Sequence, residues 1–174
     1  SVNALLFPME KIFEAYIAKQ LKTMCSEWKV ETQKRSKYLF DIPKKFGLKP
    51  DIIMSKQGKD RTKLDNNKSI VLDTKWKKLI SDSSKNYGIS QSDMYQMYAY
   101  AYKYDVEDII LIYPKHKEVQ LKNFLSYIQD EDQNEHIKKI VVKVFLYDLS
   151  NEKKSIEELG DLINSSSKSH EKQE

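Results

Sequence analysis

Ile70-Val71-Leu72-Asp73-Thr74-Lys75-Trp76-Lys77 is the stretch on which the reading of this chain turns. Its apolar opening reads as a strand. Alternation along that strand puts Val71, Asp73 and Lys75 on one face and Leu72, Thr74 and Trp76 on the other. A carboxylate and an ammonium thus emerge side by side from a strand that starts apolar. Upstream, Leu48-Lys49-Pro50-Asp51-Ile52-Ile53 has a similar frame. Pro50 disfavours helix at Lys49, and Ile52-Ile53-Met54 reads as a strand. Twenty-one residues lie between Asp51 and Asp73, room for two strands joined by a polar loop. The two carboxylates can therefore meet with Lys75 beside them. That is a minimal site for metal-assisted phosphodiester hydrolysis, because hard carboxylate oxygens hold Mg²⁺ and the metal acidifies a water while neutralising phosphate charge.

The tripeptide alone carries little information. The chain is 32% charged, and Glu27-Trp28-Lys29 and Glu152-Lys153-Lys154 also fit acid-x-Lys. The ordinary meaning of such a pair is solvated surface; for Pro50-Asp51 it is a turn. The strand context sets Asp51 and Asp73 apart. A third element adds to it. In the run from Ser90 to Tyr102, Met94, Met97, Tyr98 and Ala101 fall at helical spacing. Ser90 and Asp93 resemble a capping box with Asp in the Glu place. Gln96 and Tyr100, four apart, share one face. The plain reading is a helix with an aromatic core face; the sharper one is that Gln96 and Tyr100 line the site.

Together these pieces resemble the PD-(D/E)XK nuclease superfamily, including the Gln-x-x-x-Tyr helix of its RecB-like members. The nearer resemblance is to the nuclease domain of McrC, the cleavage subunit of McrBC restriction systems. It rests on Phe7-Pro8-Met9-Glu10-Lys11-Ile12-Phe13-Glu14, Leu48 to Ile52, Val71 to Lys77, Asp93 to Tyr100 and Leu111-Ile112-Tyr113-Pro114, all in the family's order. Trp76 stands where the family often has Tyr. The resemblance implies an αβα sandwich with a central mixed sheet. Asp51, Asp73 and the Thr74 backbone carbonyl are the implied Mg²⁺ ligands, with Mn²⁺ as substitute. Lys75 would orient or help activate the attacking water, Gln96 would steady the lysine or the water, and Tyr100 would pack or bond behind it. Glu14, on the helix before the sheet, is a candidate ligand through a water. The implied partners are double-stranded DNA and a GTP-driven AAA+ McrB-like motor that recognises modified cytosine. No phosphate-binding Gly-rich loop occurs here, so the GTPase lies elsewhere. Full McrC-type subunits carry a motor-docking region before the nuclease, so this chain is expected to be an excised C-terminal domain.

Composition fits one soluble domain. With 174 residues the chain can bury roughly 70% of its unfolded surface. Hydrophobic content is 40%, mean hydropathy −0.68, net charge +4 and isoelectric point about 8.9, a mildly basic balance compatible with DNA. One cysteine, Cys25, excludes an internal disulfide and reads as a core or boundary residue. His116, His136 and His170 match no zinc spacing. No signal peptide or membrane span is recognisable, and a reducing cytoplasm is the expected setting.

Along the chain, Pro8 suits the first turn of a helix running to about Ser26, with Met9, Ile12, Phe13, Tyr16, Ile17, Leu21 and Met24 as its apolar stripe. Strands are expected at Lys37–Ile42, Leu48–Ser55, Lys68–Lys77, Asp108–Tyr113 and Lys138–Leu149, with Lys117–Ile128 ambiguous but favouring a strand. The continuous apolar run at Ile109–Tyr113 implies a strand covered on both faces. Lys56–Asn67 reads as an exposed loop whose Lys56, Lys59, Arg61 and Lys63 are candidate phosphate contacts. Ser81–Gly88 reads as a second flexible stretch. Ser155–Ile163 is expected as a helix with Ser155 and Glu158 as a capping box. Residues 1–164 would form the single domain and 165–174 a disordered tail. Two rival functions share these features: a non-catalytic nuclease-fold scaffold or DNA-binding module, and a RecB-like exonuclease needing no GTPase.

Overall fold

A computed structural model describes residues 8–33, 36–57, 64–119, 124–130 and 138–166. In chain order these form α1 (Met9–Met24), β1 (Trp28–Thr32), β2 (Lys37–Asp41), β3 (Lys44–Leu48), β4 (Ile52–Gln57), β5 (Leu64–Thr74), α2 (Gln91–Tyr104), β6 (Asp108–Pro114), β7 (Phe124–Gln129), β8 (Ile140–Tyr147) and α3 (Glu152–Ser166). A six-stranded mixed sheet runs in the order β1-β4-β5-β6-β8-β7. Its centre, β5-β6-β8, is parallel and its flanks are antiparallel. α2 is the crossover between the parallel neighbours β5 and β6.

Strand alternation builds two cores. Ile52, Leu72, Ile110 and Ile112 point to one face, where Phe13, Ile17 and Leu21 of α1 and Ile156, Leu159 and Ile163 of α3 cover them. Ile53, Val71, Ile109 and Leu111 point to the other, under Met97, Tyr100 and Ala101 of α2. β6 is buried along both faces, as its unbroken apolar run implies. The result is a mixed α/β fold with helices on both sides of the sheet. No helix among the described residues is long and apolar enough to cross a membrane.

Several boundaries differ from the sequence reading. The sheet opens with β1, a short strand at Trp28–Thr32 that the sequence reading passes over. Lys37–Asp41 does not join the sheet; it pairs with Lys44–Leu48 in a separate hairpin. β5 reaches back to Leu64, so Leu64–Asn67 is strand rather than loop, paired across a register shift near Ser55 and Gln57. Lys59, Arg61 and Lys63 lie outside the described residues. β5 stops at Thr74 rather than Lys77, and the ambiguous strand is Phe124–Gln129.

The helices shift too. Pro8 is the N-cap of α1 rather than part of its first turn, and Met9, Ile12 and Met24 are exposed because the buried stripe is Phe13, Glu14, Ile17, Ala18 and Leu21. α3 begins at Glu152, so Ser155 is not its cap. Ser155 is buried, and its hydroxyl accepts from Asp148 N at 2.9 Å and donates to Asp148 O at 3.2 Å. The helix also includes Ser165 and Ser166, which the sequence reading assigns to a disordered tail; the rest of that tail is outside the described residues. The stretch read as flexible holds a 3-10 turn, Ser83–Gly88, whose Asp82 carboxylate accepts from Ser84 N at 3.0 Å. Cys25 is buried, as read, but α1 ends at Met24, so it caps the helix rather than lying within it.

Candidate active site

The register of β4 on β5 creates the site. Ile52 faces Leu72 and Ile53 faces Val71. One step beyond the ladder, the same register sets Asp51 across from Asp73. Both lie where the antiparallel pair ends and the backbone leaves the apolar core. Asp51 does not float there: its Oδ2 accepts from both the N–H and the hydroxyl of Thr74, each at 2.8 Å. Thr74 thus holds Asp51 beside the end of β5. The Lys75 N–H donates to Ile112 O at 2.9 Å, which anchors the next residue to β6.

Lys75 points toward α2, on the side that alternation assigns it. Its Nζ lies 2.6 Å from Asp73 Oδ2 and 3.9 Å from Asp93 Oδ1. It donates to Gln96 Oε1 at 2.8 Å, and Gln96 Nε2 donates to Tyr100 OH at 2.8 Å. The i, i+4 spacing places Gln96 and Tyr100 in line behind the lysine. α2 is aimed by its cap, since Asp93 N donates to Ser90 Oγ at 3.1 Å. Ser90 caps as expected, but the Asp93 carboxylate faces Lys75 and accepts from Tyr113 OH at 3.4 Å.

Burial sets the electrostatics. Asp73 is 2% exposed. Loss of water raises its carboxyl to about 6; the Asp51 charge adds to this and Lys75 opposes it. Asp51 is also raised, chiefly by burial, against the two Thr74 hydrogen bonds and with the Glu14 charge adding to the rise. Tyr100 is raised by burial and by both aspartates, so its hydroxyl stays protonated. The buried Asp73 Oδ2 has the Lys75 ammonium 2.6 Å away and no other polar partner among the described residues. Such an oxygen is costly to bury and has coordination capacity to spare.

Glu14 sits on α1 at the edge of the same cleft, which encloses about 530 Å³ and also takes in Lys49, Asp51, Asp73 and Lys75. Two neighbours hold its carboxylate: Lys11 Nζ donates to Oε2 at 2.9 Å, and Gln33 Nε2 donates to Oε1. Gln33 also donates its backbone N–H to Asp51 O at 3.0 Å. It follows β1 in a left-handed conformation, φ 54°. Gln33, Lys11 and Asp93 are site neighbours to which the sequence assigns no role in the site. A glutamine after an unrecognised strand carries no signal. Asp93 is hidden by its capping role.

No cluster of three His, Cys, Asp or Glu side chains in metal-holding geometry occurs among the described residues. The hard donors are the Asp51–Asp73 pair, with Glu14 held by Lys11 and Gln33. A pair of carboxylates suits Mg²⁺, which keeps several waters and takes one or two protein carboxylates. With Asp73 Oδ2 met by Lys75 alone among the described residues, the carboxylates present fit such an ion.

A chain of a solved complex, described as a refined half-complex from a tetradecameric assembly of Thermococcus gammatolerans McrB AAA+ hexamers with bound McrC, superposes with a TM-score of 0.62. The identity is 19%, and the match covers 90% of this chain and 33% of that one, so this chain spans about a third of its length. At that identity the likeness is one of fold. No curated protein sequence matches. The family described as McrBC 5-methylcytosine restriction system component matches residues 1–114, which include Asp51, Asp73, Lys75, Gln96 and Tyr100. The match covers well over half of the sequence, and the chain therefore belongs to the McrBC restriction-system component family.

Proposed function

We propose that this chain is the Mg²⁺-dependent DNA endonuclease domain of an McrC-like subunit, with the PD-(D/E)XK fold, hydrolysing double-stranded DNA in concert with a GTP-driven McrB-like AAA+ motor. One observation carries the chemistry: a buried Asp73 and a half-buried Asp51, brought level by the β4–β5 register, share a cleft with a lysine that is wired through Gln96 to Tyr100. Family membership supports the restriction-system setting. The matched solved structure contains McrB AAA+ hexamers with bound McrC, which supports the kind of motor.

Asp51, Asp73 and the Thr74 carbonyl would hold the ion, with Glu14 reaching it through a water. When bound, Mg²⁺ supplies Lewis-acid stabilisation of phosphate charge and a more acidic water. Thr74 holds Asp51 in orientation through its two hydrogen bonds, which favour the charged form against the burial that opposes it. Lys75, already between Asp73 and Gln96, is placed to position the attacking water and to meet charge developing on the phosphate. Gln96 accepts from the ammonium and so restricts where Nζ points. Tyr100, a protonated hydroxyl, fixes the Gln96 amide. Asp93 adds negative charge behind the lysine.

Calorimetry with Mn²⁺ or Mg²⁺, paired with nicking of supercoiled plasmid, tests the reading on wild type, Asp73→Ala and Lys75→Ala. Asp73→Ala should lose metal binding and nicking together, while Lys75→Ala should lose nicking and keep the metal. A Lys75→Ala protein that nicks like wild type, or metal binding indifferent to Asp73→Ala, would favour the scaffold instead. Digestion from DNA ends without a motor would favour an exonuclease.

A further inference from the structure

We infer that the β2–β3 hairpin is a DNA-contacting wedge: its apolar tip packs against bases while its lysines meet phosphates. The inference rests on the reading of the cleft as a DNA-cleaving site and names a second place where the chain grips that substrate. The hairpin stands apart from the sheet, with Lys37 paired to Leu48 and Asp41 to Lys44. Its tip exposes apolar side chains that a core would normally take up: Ile42 is 96% exposed, Phe46 70% and Phe40 56%. Phe40 and Phe46 pack edge to face with ring centres 5.9 Å apart, a preformed aromatic pair. Phe46 is held at φ 56°, a backbone conformation that bulky residues rarely adopt. Strained backbone of this kind concentrates at functional sites.

Charge selects the occupant. Lys37, Lys44, Lys45 and Lys49 are exposed along the same hairpin and its exit. The acid within it, Asp41, is paired with Lys103 at 2.8 Å. An apolar tip set among lysines suits a polyanion with stackable faces, and proteins that deform DNA insert Phe, Ile and Pro wedges of this type. The hairpin is also tied to the cleft. Lys49 lines the cavity that holds Asp51 and Asp73, and only Pro50 separates it from Asp51. Tyr104 OH donates to Leu48 O at 3.1 Å, fixing the hairpin's base to the helix that carries Gln96. Duplex DNA reaching Asp73 would thus have the hairpin close by.

The test is fluorescence anisotropy of a labelled duplex with Ca²⁺ in place of Mg²⁺, across a salt series. The proteins are wild type, Ile42→Ser/Phe46→Asn and Lys44→Ala/Lys45→Ala, with plasmid nicking in Mg²⁺ run alongside. Asparagine tolerates positive φ, and Ile42 is almost fully exposed, so these changes should spare the fold; a thermal melt checks this. The apolar variant should weaken binding about tenfold with an unchanged salt slope. The lysine variant should lower the slope by about two, roughly one for each phosphate no longer neutralised. Wild-type affinity and slope in both variants, with wild type binding and nicking DNA, would overturn the hairpin alone. Wild type that neither binds nor nicks DNA would overturn the nuclease reading and the hairpin with it. A wild-type dimer in sedimentation that Ile42→Ser/Phe46→Asn dissociates, with DNA affinity unchanged, would assign the tip to a second copy and overturn the inference.

Discussion

Asp73→Asn should make the metal-free protein more stable, and more so as pH rises. Asp73 is 2% exposed, and its carboxyl is raised from 3.8 to about 6. A group whose folded pKa is raised favours folding when protonated. Its contribution is fully present below the unfolded value and is lost as pH climbs through the folded one. At about 1.36 kcal/mol for each pH unit, that rise amounts to about 3 kcal/mol against the ionised folded state at high pH. Between about pH 4 and about pH 8, some 2–3 kcal/mol of it develops. Asparagine cannot ionise and escapes it. It also removes the charge that raises Asp51, an effect of the same sign. For a chain of this size, 1 kcal/mol moves Tm by roughly 2–4 °C, so the Tm gap between variant and wild type should widen by about 5–10 °C from pH 4 to pH 8. Melting in EDTA across pH, followed by far-UV circular dichroism, reads this directly. Changes in packing or hydrogen bonding are nearly pH-independent and cancel in the widening. A gap that stays constant would refute the argument. A gap that narrows as pH rises would show that Lys75 overcompensates burial.

The same electrostatics predict that Mg²⁺ at ten times Kd stabilises wild type near pH 8 by about 1.4 kcal/mol, raising its Tm, and leaves Asp73→Asn unchanged; a melt with and without metal checks it. Lys75→Ala should cut nicking roughly 10²–10⁴-fold while calorimetric metal affinity stays near wild type. Tyr100→Phe should be milder than Gln96→Ala, because only Gln96 bonds the ammonium directly; single-turnover cleavage by the two variants ranks them. Away from the site, Lys143 pairs with Asp108 at 2.9 Å, with both side chains largely buried. Lys143→Met leaves a buried carboxylate without its ion partner and should cost about 3–5 kcal/mol in a denaturant titration, much of it recovered by adding Asp108→Asn.

The sequence alone determined the elements that carry the chemistry. Ile70 to Leu72, Ile52 to Met54 and Ile109 to Tyr113 are apolar enough to be strands under almost any tertiary arrangement, and Gln91 to Tyr104 keeps helical period with Ser90 as its cap. Alternation then put Asp73 and Lys75 on one face, and i, i+4 spacing put Gln96 beside Tyr100, because both follow from local backbone geometry. Tertiary structure decided what local geometry leaves free. The antiparallel register Ile52↔Leu72 made Asp51 and Asp73 neighbours. The parallel docking of β5 on β6 brought α2 over the lysine. Weak segments went wherever neighbours completed them: Trp28–Thr32 became a strand because β4 offered an edge, and Lys37–Asp41 left the sheet to pair with Lys44–Leu48. Asp93 and Gln33 joined the site through contacts many residues away in sequence. Such placements depend on long-range pairing, whose free energy no short window of residues contains.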